Sequence, residues 1–214
     1  MSAAPILIVH GGKVLDGLGA PALAADVVIT GDRITEVRAG AADQYDAAIR
    51  RIDATGLTVM PGLIDAHCHI SFDEPNSNDE LFFHRREGLA AIIAAVNVQK
   101  VLAAGVTGFF DADCLFEIGV DLRDAIEAGI VRGPRMSTGG NALLTSVGGT
   151  AGRLIPDEGR RGYGKVVNSR DEIVQEIRRQ IKLGVDWIKV HVTGLTLRQR
   201  GKGEVQVWSY DELR

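Results

Sequence analysis

The chain is poor in cysteine, has no long apolar run and carries no excess of positive charge. Two cysteines in 214 residues cannot build a disulfide framework, and Cys68 lies inside an apolar run, so a reducing compartment is expected. No apolar stretch approaches the roughly 18 residues of a membrane span. The start, Met1-Ser-Ala-Ala-Pro-Ile-Leu-Ile-Val9, has neither the charged leader nor the long apolar core of a secretion signal. With 24 Lys plus Arg against 28 Asp plus Glu, the net charge is −4. That balance argues against nucleic acid or an anionic membrane as the main partner. What is present suits a folded chain: 45% apolar and 24% charged residues, with only 5% aromatic. The 26 glycines follow no three-residue period and mean many tight turns, not a fibre. A cytoplasmic protein, bound neither to nucleic acid nor to membrane, is expected.

Residues 1–61 read as short strands and turns. Ile6-Leu-Ile-Val-His10 is one strand, ended by Gly11-Gly12. Asp26–Thr30, Gly31-Asp32-Arg33 and Ile34–Val37 make a hairpin with a glycine-containing turn. Arg51-Ile-Asp53 and Leu57–Met60 are two more. So few short strands bury little surface alone and need others from elsewhere in the chain.

From residue 62 the rhythm becomes strand, helix, strand, helix. Strands are predicted over 63–70, 106–111, 135–138 and 187–192. Helices are predicted over 80–104, with Leu89, Ile92, Ile93 and Val96 on one stripe, over 121–128, and over 170–183. Ser169-Arg-Asp-Glu172 is a capping box, and three helices end in Gly followed by a β-branched residue: Gly105-Val106, Gly129-Ile130 and Gly184-Val185. Such alternation predicts a parallel sheet with helices outside. Ser209-Tyr-Asp-Glu212 is another capping box, and the sequence stops two residues after it. Helix nucleation would go unrecovered there, so the chain reads as the first part of a longer protein.

Alternation along 63–70 puts Ile64, Ala66, Cys68 and Ile70 on one face and Leu63, Asp65, His67 and His69 on the other. Two imidazoles at i and i+2 near a strand's C-terminal end can aim at one cation, zinc or a first-row neighbour; exposed or hydrogen-bonded histidines are the alternative. Over 187–192 the same alternation puts Trp187, Lys189 and His191 together, away from the helices. A lysine among Trp187, Ile188, Val190 and Val192 is expected to be desolvated, so it must pair, lose its proton or be modified. A neutral amine can take up carbon dioxide to give a carbamate able to bridge two metal ions; a salt bridge to a strand-end carboxylate such as Asp111 is the other outcome. His191, beside Lys189, would contact substrate or hydrogen-bond Lys189.

Pro61-Gly-Leu-Ile-Asp-Ala-His-Cys-His69 resembles the first-strand signature of the amidohydrolase superfamily. Ala104-Gly-Val-Thr107, Leu122-Arg-Asp-Ala-Ile126, Gly133-Pro-Arg135 and Asp186-Trp-Ile-Lys-Val190 resemble its imidazolonepropionase/prolidase-like branch. Phe82-Phe-His-Arg-Arg86 and Asp111-Ala-Asp-Cys114 resemble the phenylurea and thiocarbamate hydrolases within it. The resemblance implies an α/β fold: the first half of a (β/α)8 TIM-like barrel, strands one to four over residues 62–214, preceded by a small, incomplete β-sandwich subdomain over 1–61. It implies a metal-dependent amidohydrolase that cleaves an amide-like C–N bond in a small-molecule substrate (an amide, dipeptide, urea or carbamate). His67 and His69 would hold one ion, and Lys189 matches the strand-four lysine carboxylated in binuclear members. The metal would be one or two divalent ions, zinc by default, with cobalt, manganese or iron as substitutes. The family completes its site with histidines from strands five and six and an aspartate from strand eight, which have no counterparts in these 214 residues. Phe110 stands where many relatives have Arg, and Gly148-Gly-Thr-Ala-Gly152 lacks their loop histidine.

Residues 139–168 hold eight glycines and read either as a substrate cover on the catalytic face or as a solvated loop. Gly159-Arg-Arg-Gly-Tyr-Gly-Lys165 is not a phosphate loop, because Val166 follows and no strand leads in. Arg160, Arg161 and Lys165, and likewise Arg198, Arg200 and Lys202, read as solvated charge or as an attraction for an anionic substrate. Two further readings stay open. One is a non-catalytic half-barrel that forms a homo-oligomer or pairs with a complementary C-terminal chain. The other is a phosphotriesterase-like hydrolase, which shares the ligand set.

Overall fold

Asp26 shows how the first strands are tied together. In the computed structural model its buried carboxylate accepts from Gly11 N at 3.1 Å and from Ala42 N at 3.0 Å. The structure describes residues 6–73, 75–77, 79–146, 162–194 and 205–214. The chain divides into two compact units, Met1–Gly62 and Leu63–Arg214.

The first unit holds two small sheets. One contains β1 (Leu7–His10), β4 (Asp26–Thr30), β5 (Arg33–Arg38) and β6 (Arg51–Asp53), in the order β5-β4-β1-β6. The other contains β2 (Lys13–Val14), β3 (Leu23–Ala24) and β7 (Thr58–Val59), in the order β3-β2-β7. The predicted hairpin is β4 and β5, antiparallel, with Gly31 at φ +61° in the turn, where a side chain would be strained. Ile8, Val28, Ala41 and Ala42 form the core.

The second unit begins with a parallel three-stranded sheet, β10-β9-β8, made of β8 (Leu63–Cys68), β9 (Val106–Asp111) and β10 (Arg135–Thr138). The crossovers are α1 (Glu87–Ala103) and α2 (Ile118–Glu127). Next come β11 (Ala142–Leu144) and β12 (Gly164–Val166), paired parallel, then α3 (Arg170–Leu183). Short β13 (Thr193–Gly194) and β14 (Val205–Gln206) pair antiparallel, and α4 is one turn, Tyr210–Leu213. Phe109, Met136, Ile118, Leu122 and the buried face of α1 form the main core. Leu143, Val167, Ile173 and Trp208 form a second core under α3.

Helix α3 matches its sequence signals. Ser169 accepts from Glu172 N, and Gly184 ends the helix at φ +93°. The returning half of the box goes one residue upstream, from Asn168 N to Glu172 Oε2 at 2.7 Å. Ser209 and Glu212 form a complete box at α4.

Three expectations are corrected. The helix predicted over 80–104 is broken: Glu80–His84 is a π-turn, and Arg85 and Arg86 are extended. Arg85 is buried and forks onto Glu80 at 2.8–2.9 Å, a pairing that replaces a continuous helix. Within α1, Ala90, Ala94 and Val98 are buried, whereas Leu89, Ile92 and Val96 are 46%, 65% and 50% exposed. The helix thus buries its Ala90-Ala94-Val98 face and not the predicted stripe. The fourth predicted strand, 187–192, is reduced to a bridge between Val190 and Leu143. Its backbone still tracks the sheet, since Leu143 N donates to Lys189 O at 2.8 Å and His191 N to Leu143 O at 3.2 Å. No helix among the described residues is long and apolar enough to cross a membrane. Residues 147–161, most of the glycine-rich loop, and Arg198, Arg200 and Lys202 lie outside the described residues.

Candidate metal centre

The two histidines meet because β8 carries an irregularity. Its pairing with β9 steps from Asp65↔Phe109 to Cys68↔Asp111, so three residues on one strand span two on the other. A bulge of this kind re-aims side chains. Asp65 Oδ1 accepts from His67 N at 3.0 Å and supports the local turn. Strict alternation therefore fails at Ala66, which shares a cavity of about 560 Å3 with Phe110, Ser137, Trp187 and Lys189. Cys68 packs against the helix-side core as expected; burial raises its thiol pKa to about 11.

His67 Nε2 and His69 Nε2 lie 3.2 Å apart. Two nitrogens bound to one ion at about 2.0–2.1 Å each would be about 2.9–3.4 Å apart, so the imidazole pair fits a shared first-row cation. Partial burial, then the charges of Lys189 and His69, hold His67 below the ordinary imidazole range. The charge of Lys189 is thus felt at His67. Among the described residues no group of three or more His, Cys, Asp and Glu side chains is arranged to hold a metal ion. What the chain offers is two imidazoles with a lysine nearby.

Behind the histidines lies a residue that the sequence reading missed as a site member. Asp113, with its side chain 1% exposed, puts Oδ1 2.6 Å from His69 Nδ1 and Oδ2 2.7 Å from His191 Nε2. Although burial works against ionisation, the two rings hold its carboxyl well below the usual carboxylate range. The Asp113 carboxylate beside it holds His69 above the ordinary imidazole value, and the hydrogen bond of His69 Nδ1 runs to the Asp113 backbone carbonyl at 3.2 Å. His191 therefore spends Nε2 on Asp113. Phe72 stacks on His69 with centroids 5.0 Å apart, and Tyr163 sits edge-on to His191 at 5.9 Å. Asp111 faces the other way: it is buried, accepts from Ile70 N at 3.0 Å, and burial pushes its pKa up to about 7. The one available hint of Asp113 was the Asp111-Ala-Asp113 spacing at a strand end.

Residues 58–214 match the amidohydrolase family, and the chain belongs to it. Ochratoxinase of Aspergillus niger is 26% identical over 234 residues, 99% of this chain and 47% of that protein. A prolidase structure with bound N-methylphosphonate-L-proline superposes with a TM-score of 0.71 at 30% identity, covering 88% of this chain and 47% of that one. Molinate hydrolase shares the fold, with a TM-score of 0.75 at 24% identity, over 100% of this chain and 50% of that one. The chain spans about half the length of the curated relatives it matches.

Proposed function

We propose that the chain is the first half of a metal-dependent amidohydrolase that cleaves an amide-like C–N bond in a small molecule, such as an amide, dipeptide, urea or carbamate. The observation that carries this reading is the 3.2 Å approach of His67 Nε2 to His69 Nε2 at the C-terminal end of the first parallel strand. Active sites of (β/α)8 barrels lie at that end of their strands, and the half-barrel reading rests on the parallel β8, β9 and β10. The prolidase and ochratoxinase relatives support the bond class.

A divalent ion held there, zinc by preference, would supply Lewis acidity: a nucleophile drawn from water at neutral pH and polarisation of a substrate carbonyl. His67 and His69 would hold it through Nε2. Lys189, carboxylated as the family resemblance implies, would add an anionic ligand. His191 lines the substrate side while its Nε2 holds Asp113. Two free cysteines suit a reducing, cytoplasmic setting.

Equilibrium dialysis against zinc or cobalt tests the reading. One ion per chain is expected, with binding lost in His67→Ala and His69→Ala; a wild-type chain that binds none refutes it. Amide, dipeptide and urea turnover is expected from the whole enzyme and not from the 214 residues alone.

A second reading is a non-catalytic half-barrel that forms a homo-oligomer or docks a complementary chain. It is favoured by β8, where Leu63 and Ile64 are 51% and 74% exposed. Size-exclusion chromatography separates the two: a monodisperse monomer without metal favours an inert fragment.

A further inference from the structure

Asp113 is buried between two rings, and each of its oxygens faces a different one. We propose that Asp113 is a positioning residue that keeps the His69 proton on Nδ1, so that Nε2 of His69 turns with His67 towards the cation, and that His191 serves by holding Asp113. The inference rests on the reading of His67 and His69 as the residues that hold the ion.

An ionised carboxylate only accepts hydrogen bonds. Oδ2 accepts from His191 Nε2 at 2.7 Å, while His69 Nδ1 hydrogen-bonds the Asp113 backbone carbonyl at 3.2 Å and pairs with Oδ1 at 2.6 Å in a geometry that falls short of a hydrogen bond, so both ring nitrogens are donors. The bond made by one imidazole nitrogen decides what the other can do. With Nδ1 donating, neutral His69 has a bare Nε2, which accepts from His67 Nε2–H in the metal-free chain; to bind an ion through Nε2, His67 would move its proton to Nδ1 and stay neutral. The backbone carbonyl of Asp113 lies 3.2 Å from the same Nδ1, and stacked Phe72 fixes the ring plane.

Asp113 is itself held on every side. Ala112 N donates to Cys68 O at 2.9 Å, tying the loop to the strand that carries the histidines, and Cys114 N donates to Gly140 O at 3.1 Å. Asn141 Nδ2 donates to Cys114 O at 3.1 Å and also to Phe116 O. Phe116 sits at φ +56°, a region costly for a side chain of that size, and its N–H is tied to Gly162 O. Strain of this kind persists where the surroundings over-determine a loop, and it clusters at functional sites. On the far side, His191 O accepts from Trp208 Nε1 at 2.7 Å.

Two readouts test the proposal. Long-range 1H–15N spectra of the metal-free chain at alkaline pH report which ring nitrogen carries each proton. Nδ1–H is expected for His69 and Nε2–H for His67 and His191. Cobalt titration, followed by its visible absorption, should show affinity falling about 10- to 100-fold in Asp113→Ala, with a smaller loss in His191→Gln. A wild-type His69 protonated on Nε2, or a folded Asp113→Ala that binds cobalt as tightly as wild type, overturns the inference. Should Asp113→Ala not fold, the wild-type spectrum and His191→Gln decide the matter. A wild-type chain that binds no cobalt overturns the proposed function; one that binds but ignores Asp113→Ala overturns only this inference.

Discussion

Replacing Gly139 with alanine should destabilise the Leu63–Arg214 unit out of proportion to one methyl group. The position directly follows β10, and its φ lies outside the left-handed region, so the effect is steric. A methyl there would lie 2.4 Å from the Ala112 carbonyl oxygen and 3.3 Å from Lys189 Cβ. Relief needs a movement of about 1 Å to reach an ordinary contact. Neither side yields easily: Ala112 N is bonded to Cys68 O and Gly139 N to Asp111 O, both at 2.9 Å. Overpacking of a close-packed interior costs about 1–3 kcal/mol, and clash with backbone argues for the upper half, about 2–3 kcal/mol. For a chain of this size that is roughly 4–12 °C in Tm. Gly88→Ala is the matched control. It lies in the first turn of α1 with nothing within 4 Å of the added methyl, so helix propensity should make it neutral or stabilising by up to about 1 kcal/mol. Both tryptophans, Trp187 and Trp208, belong to the second unit, so urea unfolding followed by tryptophan fluorescence reads that unit directly. A Gly139→Ala variant within about 0.5 kcal/mol of wild type would show that the end of β10 is not packed against the Ala112 backbone.

Asp111→Asn tests the buried carboxyl whose pKa is pushed up to about 7. Between the ordinary value and pH 7 the folded chain keeps a proton that the unfolded chain has lost, so this group's contribution to stability falls as pH rises through that window. The variant should therefore gain on wild type from pH 4 to pH 7 in thermal melts, and a constant gap would disprove the assignment. Ser169→Ala removes the acceptor for Glu172 N at 3.3 Å and should cost about 1 kcal/mol in urea unfolding; a neutral result would mean that Asn168 and Glu172 cap α3 alone. On α1, Ile92→Lys should change stability by less than about 0.5 kcal/mol, whereas Ala94→Leu should cost about 1–3 kcal/mol. The reverse order would restore the stripe expected from the sequence.

Where a signal is local, the sequence carried it. Strands 106–111 and 135–138, the hairpin at Gly31 and helix 170–183 with its cap and terminal glycine all depend on neighbours a few residues apart. The first-strand motif was likewise enough to point to the amidohydrolase family, and it offered His67 and His69 as candidates. Alternation failed at Ala66 because one extra residue in β8 is set by its pairing with β9, a partner about 40 residues away. The stripe on α1 failed because the helix is apolar on more than one face, and periodicity alone does not say whether Ala90, Ala94 and Val98 or Leu89, Ile92 and Val96 meet the core.

The amino-acid order alone therefore determined the strand–helix alternation, the caps and the chemical types that can grip a cation. Only the folded chain decided that Asp113, and not Asp111, stands behind His69, because two carboxylates separated by a single alanine carry no local signal of which way the chain turns after the strand. Asp111 ends a strand and is drawn into the helix-side core. Asp113 follows on a loop fixed by Cys68, Gly140 and Asn141, and that long-range bonding turns it towards the rings.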